Sequence, residues 1–303
     1  MGPELEEGSV RERVAQAGRL LSGAVVRAGD SVRPWMPPGS RAHRALAPVA
    51  RHLRGPADGR DRGEGNDPRS RVISEFARCF PSAFFVQVGS NDGMKLDPLR
   101  PHILARRWSG IMIEPLPYVF EQLAAEYRDH PRIVLENVAV GDHDGTAELF
   151  YIPQSDDPAL PNWYDALATF RKDVLLKHTE FIPDIASRIS SGEVPVSTFE
   201  SICARHSVEK IDLVQIDTEG YDLEVIKLID LERYRPKLLM FEHLHLAPAD
   251  FETCLQRLRD HGYEDISDTM DTVCLRVGEL ADEHRTLLGL WGELSDGGSC
   301  TQW

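Results

Sequence analysis

From residue 71 onward the chain alternates short apolar runs with longer amphipathic stretches, which is the pattern of successive βα units. The runs are Phe84–Val88, Gly110–Ile113, Ile133–Leu135, Ile211–Ile216 and Leu238–Phe241. Strands this apolar are buried on both faces, as in a parallel sheet covered by helices. The pattern therefore predicts a doubly wound α/β domain over residues 71–303. Asp97-Pro98 offers an N-cap and a proline at the first helical position, and Ser197 to Glu200 reads as a capping box. Helices are also expected from near Pro117 and from Asp222 to Ile229. Segments near Tyr263–Ile266 and Thr272–Val277 are close enough to form a hairpin ending the sheet.

The first 70 residues read differently. Val10, Val14, Ala17, Leu20, Leu21, Ala24 and Val25 trace one amphipathic helix, which Pro34, Pro37 and Pro38 end. A basic stretch follows from Arg41 to Arg54, and residues 55–70 have the Gly, Pro and charge content of a linker. The expectation is a helical or disordered extension, with partner docking, oligomerisation or membrane-surface binding as the functional alternative.

Charge sharpens the division. The net charge is −15, yet residues 1–72 hold 13 Arg and 9 acids, leaving the remainder at −19. So acidic a domain repels phosphate backbones, which argues against nucleic-acid binding and for a neutral or small binding partner. No stretch approaches the roughly 18 to 20 apolar residues that span a bilayer. The five cysteines (79, 203, 254, 274 and 300) are scattered, which argues against a disulfide framework or zinc site and for a reducing compartment. The acidic first residues lack the basic-then-apolar order of a secretory leader, so the expected address is cytoplasmic.

Each apolar run ends in polar or glycine residues, and in open parallel sheets the carboxyl ends of the strands form the ligand crevice. The first such loop is Gly89-Ser90-Asn91-Asp92-Gly93 after the strand bearing Gln87. Its spacing is not the G-x-G-x-x-G of a pyrophosphate turn, and an ordinary βα turn is the alternative. Glu114 ends the second run, where an acid can accept both ribose hydroxyls of a nucleoside; helix capping is the plainer reading. Asn137 ends the third run and is placed to meet an adenine. Asp217 and Glu219, two residues apart after the fourth run, raise each other's pKa, so one can act as base or help to hold a cation. His243 follows the fifth run and is the preferred general base, because imidazole titrates near neutral pH; His245 is the alternative. Asp217, Glu219 and His243 could together hold Mg²⁺, but a metal-free site is favoured.

VQVGSNDG (86–93), IEP (113–115), NVAVGD (137–142), VSTFESI (196–202) and DLVQIDTEGYDLEVI (212–226) together resemble the FkbM-type methyltransferase family over about residues 80–245. The resemblance implies a class I methyltransferase (Rossmann-like) fold, with a mostly parallel seven-stranded sheet and an antiparallel strand near its edge. It also implies S-adenosylmethionine as cofactor and O-methylation of a sugar, glycan or secondary metabolite. By the same resemblance the loop of Gly89, Ser90, Asn91 and Gly93 contacts the cofactor, Glu114 its ribose, and Asp217 lies beside the transferred methyl. Gln87 stands where such enzymes commonly carry an acid facing the cofactor's amino group, and its carbonyl can accept the same hydrogen bond.

Residues 153–193, with Trp163, Tyr164, Phe170, Arg171, His178 and Phe181, read as a lid or substrate loop. Two rival functions remain: a non-catalytic cofactor-binding or docking module, and a nicotinamide-dependent oxidoreductase, against which the missing G-x-G-x-x-G counts.

Overall fold

A computed structural model describes residues 67–161 and 163–296. The arm and nearly all of the linker expected over residues 1–70 thus lie outside the described residues. Asp67 accepts the Ser70 N–H at 2.9 Å and caps helix α1 (Pro68–Cys79).

The chain then lays down β1 (Phe84–Val88), helix α2 (Arg100–Ala105), β2 (Ser109–Ile113), α3 (Pro117–Glu126) and β3 (Ile133–Glu136). An excursion carries β4 (Ala139–Val140), β5 (Gly145–Tyr151), β6 (Ala168–Thr169), α4 (Lys172–Leu176), α5 (Ile185–Arg188) and β7 (Ser190–Ser197). The main sheet resumes with α6 (Phe199–Arg205), β8 (Leu213–Ile216), α7 (Asp222–Leu228), β9 (Leu238–Glu242) and α8 (Pro248–Asp260). It ends in β10 (Glu264–Ser267), β11 (Asp271–Leu275) and α9 (Arg285–Asp296).

The large sheet has seven strands in the order β10-β11-β9-β8-β1-β2-β3. Only β11 is antiparallel to its neighbours, and it forms the expected hairpin with β10. Both faces are covered, as the apolar runs require. Val86, Val88, Val214 and Ile216 pack with Phe199, Ile226 and Leu258 of α6, α7 and α8. Phe85, Met112 and Leu213 face the other way, against Phe76 of α1, Leu123 of α3 and Trp291 of α9. This is the doubly wound, mostly parallel seven-stranded sheet expected of a class I methyltransferase fold. Among the described residues no helix is long and apolar enough to cross a membrane.

Two helix starts differ from expectation. Asp97 accepts the Leu99 N–H at 2.8 Å in a turn ahead of the helix, so α2 begins at Arg100, with Pro101 in its first turn. At α6 the cap is Thr198, whose hydroxyl accepts the Ser201 N–H at 3.0 Å. Ser197 is still in β7 and accepts from Arg205. Glu200, freed from a capping box, receives the Tyr234 hydroxyl at 2.8 Å and pairs with Arg233.

The excursion forms a second sheet, ordered β4-β7-β5-β6. Its apolar side joins Leu149, Val194 and Val196 to Leu116 and Val119 around α3. The loops after β1, β2, β8 and β9 therefore meet at one edge, with the excursion carrying further side chains.

Gly89 ends β1 with φ +80°, and a β-carbon there would lie 1.8 Å from the Asp217 carbonyl oxygen. Gly89→Ala should destabilise the domain by about 3 kcal/mol or more, because strain and overpacking coincide against main chain. Urea unfolding of the variant against the wild type checks this.

Candidate active site

Ser90 bolts the β1 loop to β2. Its N–H donates to the Ile113 carbonyl at 2.9 Å, its hydroxyl accepts the Ile113 N–H at 3.1 Å, and that hydroxyl donates to the Gln87 carbonyl at 3.2 Å. The serine side chain is thus spent on holding the loop. Asn91 has φ +49°, a conformation asparagine tolerates, and donates its N–H to Glu114 Oε2 at 3.0 Å. Gly93 closes the turn by donating to the Ser90 carbonyl at 3.1 Å, with Leu123 and Tyr127 filling the space a side chain would need.

Glu114 is 5 % exposed. Its Oε1 accepts the Leu116 N–H at 2.9 Å ahead of α3, which has no side-chain cap, and Oε2 is turned to the β1 loop. Burial pushes its carboxyl up to about 7 against these two N–H donors. Asn137 donates to the Glu114 and Pro115 carbonyls at 2.8 and 3.1 Å and fixes the chain leaving β2. Its amide nitrogen is thereby committed, leaving the carbonyl end for any ligand. Gln87 is 1 % exposed and donates to Asp97 Oδ1 at 3.2 Å; its own carbonyl oxygen has no partner among the described residues.

Across β1, the β8 loop gathers charge. Asp217 donates its N–H to the Val88 carbonyl at 2.9 Å, tying the loop to β1. Glu219 has φ +51° and Gly220 φ +90°. A β-carbon on Gly220 would lie 3.0 Å from Val174 of α4 and 3.2 Å from His245 Cβ, so the excursion and the β9 loop close on this turn. Asp222 starts α7, fully buried, and accepts the Thr218 hydroxyl and the Gly220 N–H at 3.1 and 3.2 Å. The turn into α7 is thus held by Asp222. Carboxylate oxygens of Asp217, Glu219 and Glu242 lie within 4.8 Å of one another. Burial, then the neighbouring acids, holds Asp217 and Glu242 well above the usual carboxylate range.

The two candidate histidines part company. His243 Nδ1 lies 2.9 Å from the Thr272 hydroxyl, its ring stacks on Phe251 at 4.5 Å, and burial lowers its pKa. It stands outside the acid cluster. His245 points inward, 3.1 Å from Glu219 Oε2 and 4.0 Å from Glu242 Oε1. The trio Asp217–Glu219–His243 considered for Mg²⁺ is therefore not assembled.

Three contributors escaped sequence reasoning as site residues. Glu242, 6 % exposed, ends β9 with a carboxylate oxygen within 4.8 Å of those of Asp217 and Glu219, and its Oε2 has no hydrogen-bond partner among the described residues. His178 comes from the excursion, 41 positions before Glu219, and no local pattern marks it. It meets the His245 ring edge-on at 5.1 Å. Arg69 pairs with Asp271, and its charge reaches Asp217; it had been assigned to the linker by composition.

Known proteins bear on this arrangement. The family described as the methyltransferase FkbM domain matches residues 87–264. No curated protein matches the chain. Among solved structures, the methyltransferase FkbM from Methylobacillus flagellatus is 16 % identical over 64 % of this chain, with a TM-score of 0.39. The aligned part is only 44 % of that protein, so this chain spans less than half its length. A methyltransferase from Geobacter sulfurreducens is 13 % identical over 86 % of this chain and 96 % of its own, with a TM-score of 0.36. The METTL16 MTase domain is 10 % identical over 69 % of this chain and 67 % of its own, with a TM-score of 0.37.

Because its hydroxyl is the acceptor for a buried N–H, Ser90→Ala should cost about 1–3 kcal/mol of stability, seen as a lower urea midpoint at unchanged slope.

Proposed function

The chain belongs to the FkbM methyltransferase domain family, and on that footing we propose that it transfers the methyl group of S-adenosylmethionine to a hydroxyl of a sugar, glycan or secondary metabolite. The observation that carries this reading is Glu114. It is a buried carboxylate at the end of β2, oriented by two N–H donors and still short of hydrogen bonds for its charge. A vicinal diol supplies two further donors, which is the partner such a group lacks. The Gln87 side-chain Oε1, without a partner among the described residues, suits a cationic amino group, and the spacing of the β1 loop does not suit a dinucleotide.

When bound, S-adenosylmethionine supplies an electrophilic methyl on a sulfonium. Glu114 would hold the ribose, the Gly89–Gly93 loop and Gln87 the amino-acid portion, and the carbonyl of Asn137 would face the adenine. A cationic donor would favour the ionised form of the Asp217 carboxyl, a stabilisation the neutral product cannot give. The remaining demand on the chain is to position the acceptor hydroxyl and remove its proton, and positioning carries most of the rate. His243 is the proposed base. Its lowered pKa keeps it neutral at pH 7, and the Thr272 hydroxyl fixes the ring through Nδ1, leaving Nε2 to accept the proton. The acidic balance of the domain continues to favour a small, uncharged acceptor over nucleic acid.

Two outcomes test the assignment. Hydroxyl donors favour ionised Glu114, and burial raises its pKa to about 7, so S-adenosylhomocysteine affinity should be full above pH 7. It should fall as pH drops below 7, by up to about tenfold per unit. Calorimetric titration should show this slope in the wild type, a flat profile in Glu114→Gln and weak binding in Glu114→Ala. Unchanged affinity in Glu114→Ala removes the ribose assignment. His243→Ala should retain that affinity and lose about 10² to 10⁴-fold in turnover once an acceptor is in hand.

A further inference from the structure

We propose that His178, Glu219 and His245 form a binding site for a divalent first-row transition ion such as zinc or manganese. The site goes beyond the methyl-donor reading and does not depend on it. The three residues come from the excursion, the β8 loop and the β9 loop, and one potential donor atom from each lies within 4.8 Å of the others. His245 Nε2 and Glu219 Oε2, at 3.1 Å, already stand at the separation of two ligands sharing one ion with bonds of about 2.0–2.2 Å. The His178 donor, within 4.8 Å of both, would move closer to share that ion.

The simpler description is a core histidine beside a His–Glu ion pair, and two observations weigh against it. His178 is only 8 % exposed, and its Nε2 has no hydrogen-bond partner among the described residues, which a buried histidine packed for stability alone would ordinarily have. It faces His245 at 5.1 Å with Trp163 behind it at 5.3 Å, so its ring is held toward the cluster. The second observation is the surrounding charge. Asp217 and Glu242 each bring a carboxylate oxygen within 4.8 Å of Glu219, and Glu242 Oε2 also lacks a hydrogen-bond partner among the described residues. Lys177, next to His178 in sequence, donates to the His245 carbonyl at 3.0 Å. The cluster thus sets two imidazoles among three carboxyl groups, a donor set that suits a cation able to displace their protons.

Two imidazoles and one carboxylate select zinc, manganese or iron(II) over magnesium. Three protein ligands leave coordination positions open, which an oxygen of the acceptor can fill. The ion would also fasten the excursion to the ends of β8 and β9.

The test uses the full chain after chelator treatment and dialysis. Zinc is titrated by calorimetry and cobalt(II) by its visible spectrum. One ion per chain is expected, with affinity lowered by more than about 100-fold in His178→Phe and in His245→Phe, beyond the ~10–100-fold that losing a ligand's neighbour costs. Phenylalanine keeps the ring packing, and unchanged metal-free melting curves show that lost binding is not lost folding. An ion bound equally tightly by both variants, or no stoichiometric ion in the wild type, overturns the proposal. Titrating S-adenosylhomocysteine into the same samples reads Glu114, which lies across β1 from this cluster, so either reading can fail without the other.

Discussion

Where β1 and β8 end side by side, the Asp217 carbonyl oxygen takes the space a β-carbon at position 89 would need, 1.8 Å away. Only glycine permits that approach, and much of the polar edge hangs on it. With Asp217 N–H on the Val88 carbonyl, the contact seats the β8 loop against the β1 loop. The β1 loop in turn carries Asn91, which steers Glu114, and Ser90, which anchors β2. A backbone displacement at position 89 would therefore reach the Glu114 carboxylate on one side and the acid cluster on the other.

That edge is costly to fold. Gln87 Oε1, Glu242 Oε2 and His178 Nε2 are buried without partners among the described residues, and each such atom typically costs about 1–3 kcal/mol. Set against a net stability of about 5–15 kcal/mol for a typical domain, three of them along one edge are a large concession. Apolar side chains in those places would pack the same sheet more stably, so the polar groups are better explained by what they bind than by what they hold up.

Much of the main sheet was legible because its strands are buried on both faces, so runs such as Phe84–Val88 and Leu238–Glu242 stand out from any background. The second sheet was not. In β5 only Leu149 is fully buried, and β7 alternates exposed Glu193 and Pro195 with buried Val194 and Val196, a signal too weak to separate from a loop. The strand-end acids could be read from position alone, since a polar residue after a buried strand has few structural reasons to be there. Which histidine turns inward could not, because the choice between His243 and His245 depends on the path after β9 and on contacts from α4 and Thr272. His178 depends on the tertiary path of the whole excursion. Residue 69 illustrates the opposite error: a polar, glycine-rich neighbourhood concealed the start of α1.

The first and last helices among the described residues have a consequence for how the molecule is made. Helix α9 lies along α1, with Arg71 near Glu293 at one end and Cys79 near Thr286 at the other, and it places Leu287 and Trp291 over the face built from Phe85 and Met112. On a ribosome, that face of the sheet stays open until residues 285–296 have left the exit tunnel, however early the strands pair. Until then the nascent chain carries an uncovered apolar surface, and its sealing comes well after the strands beneath have been made.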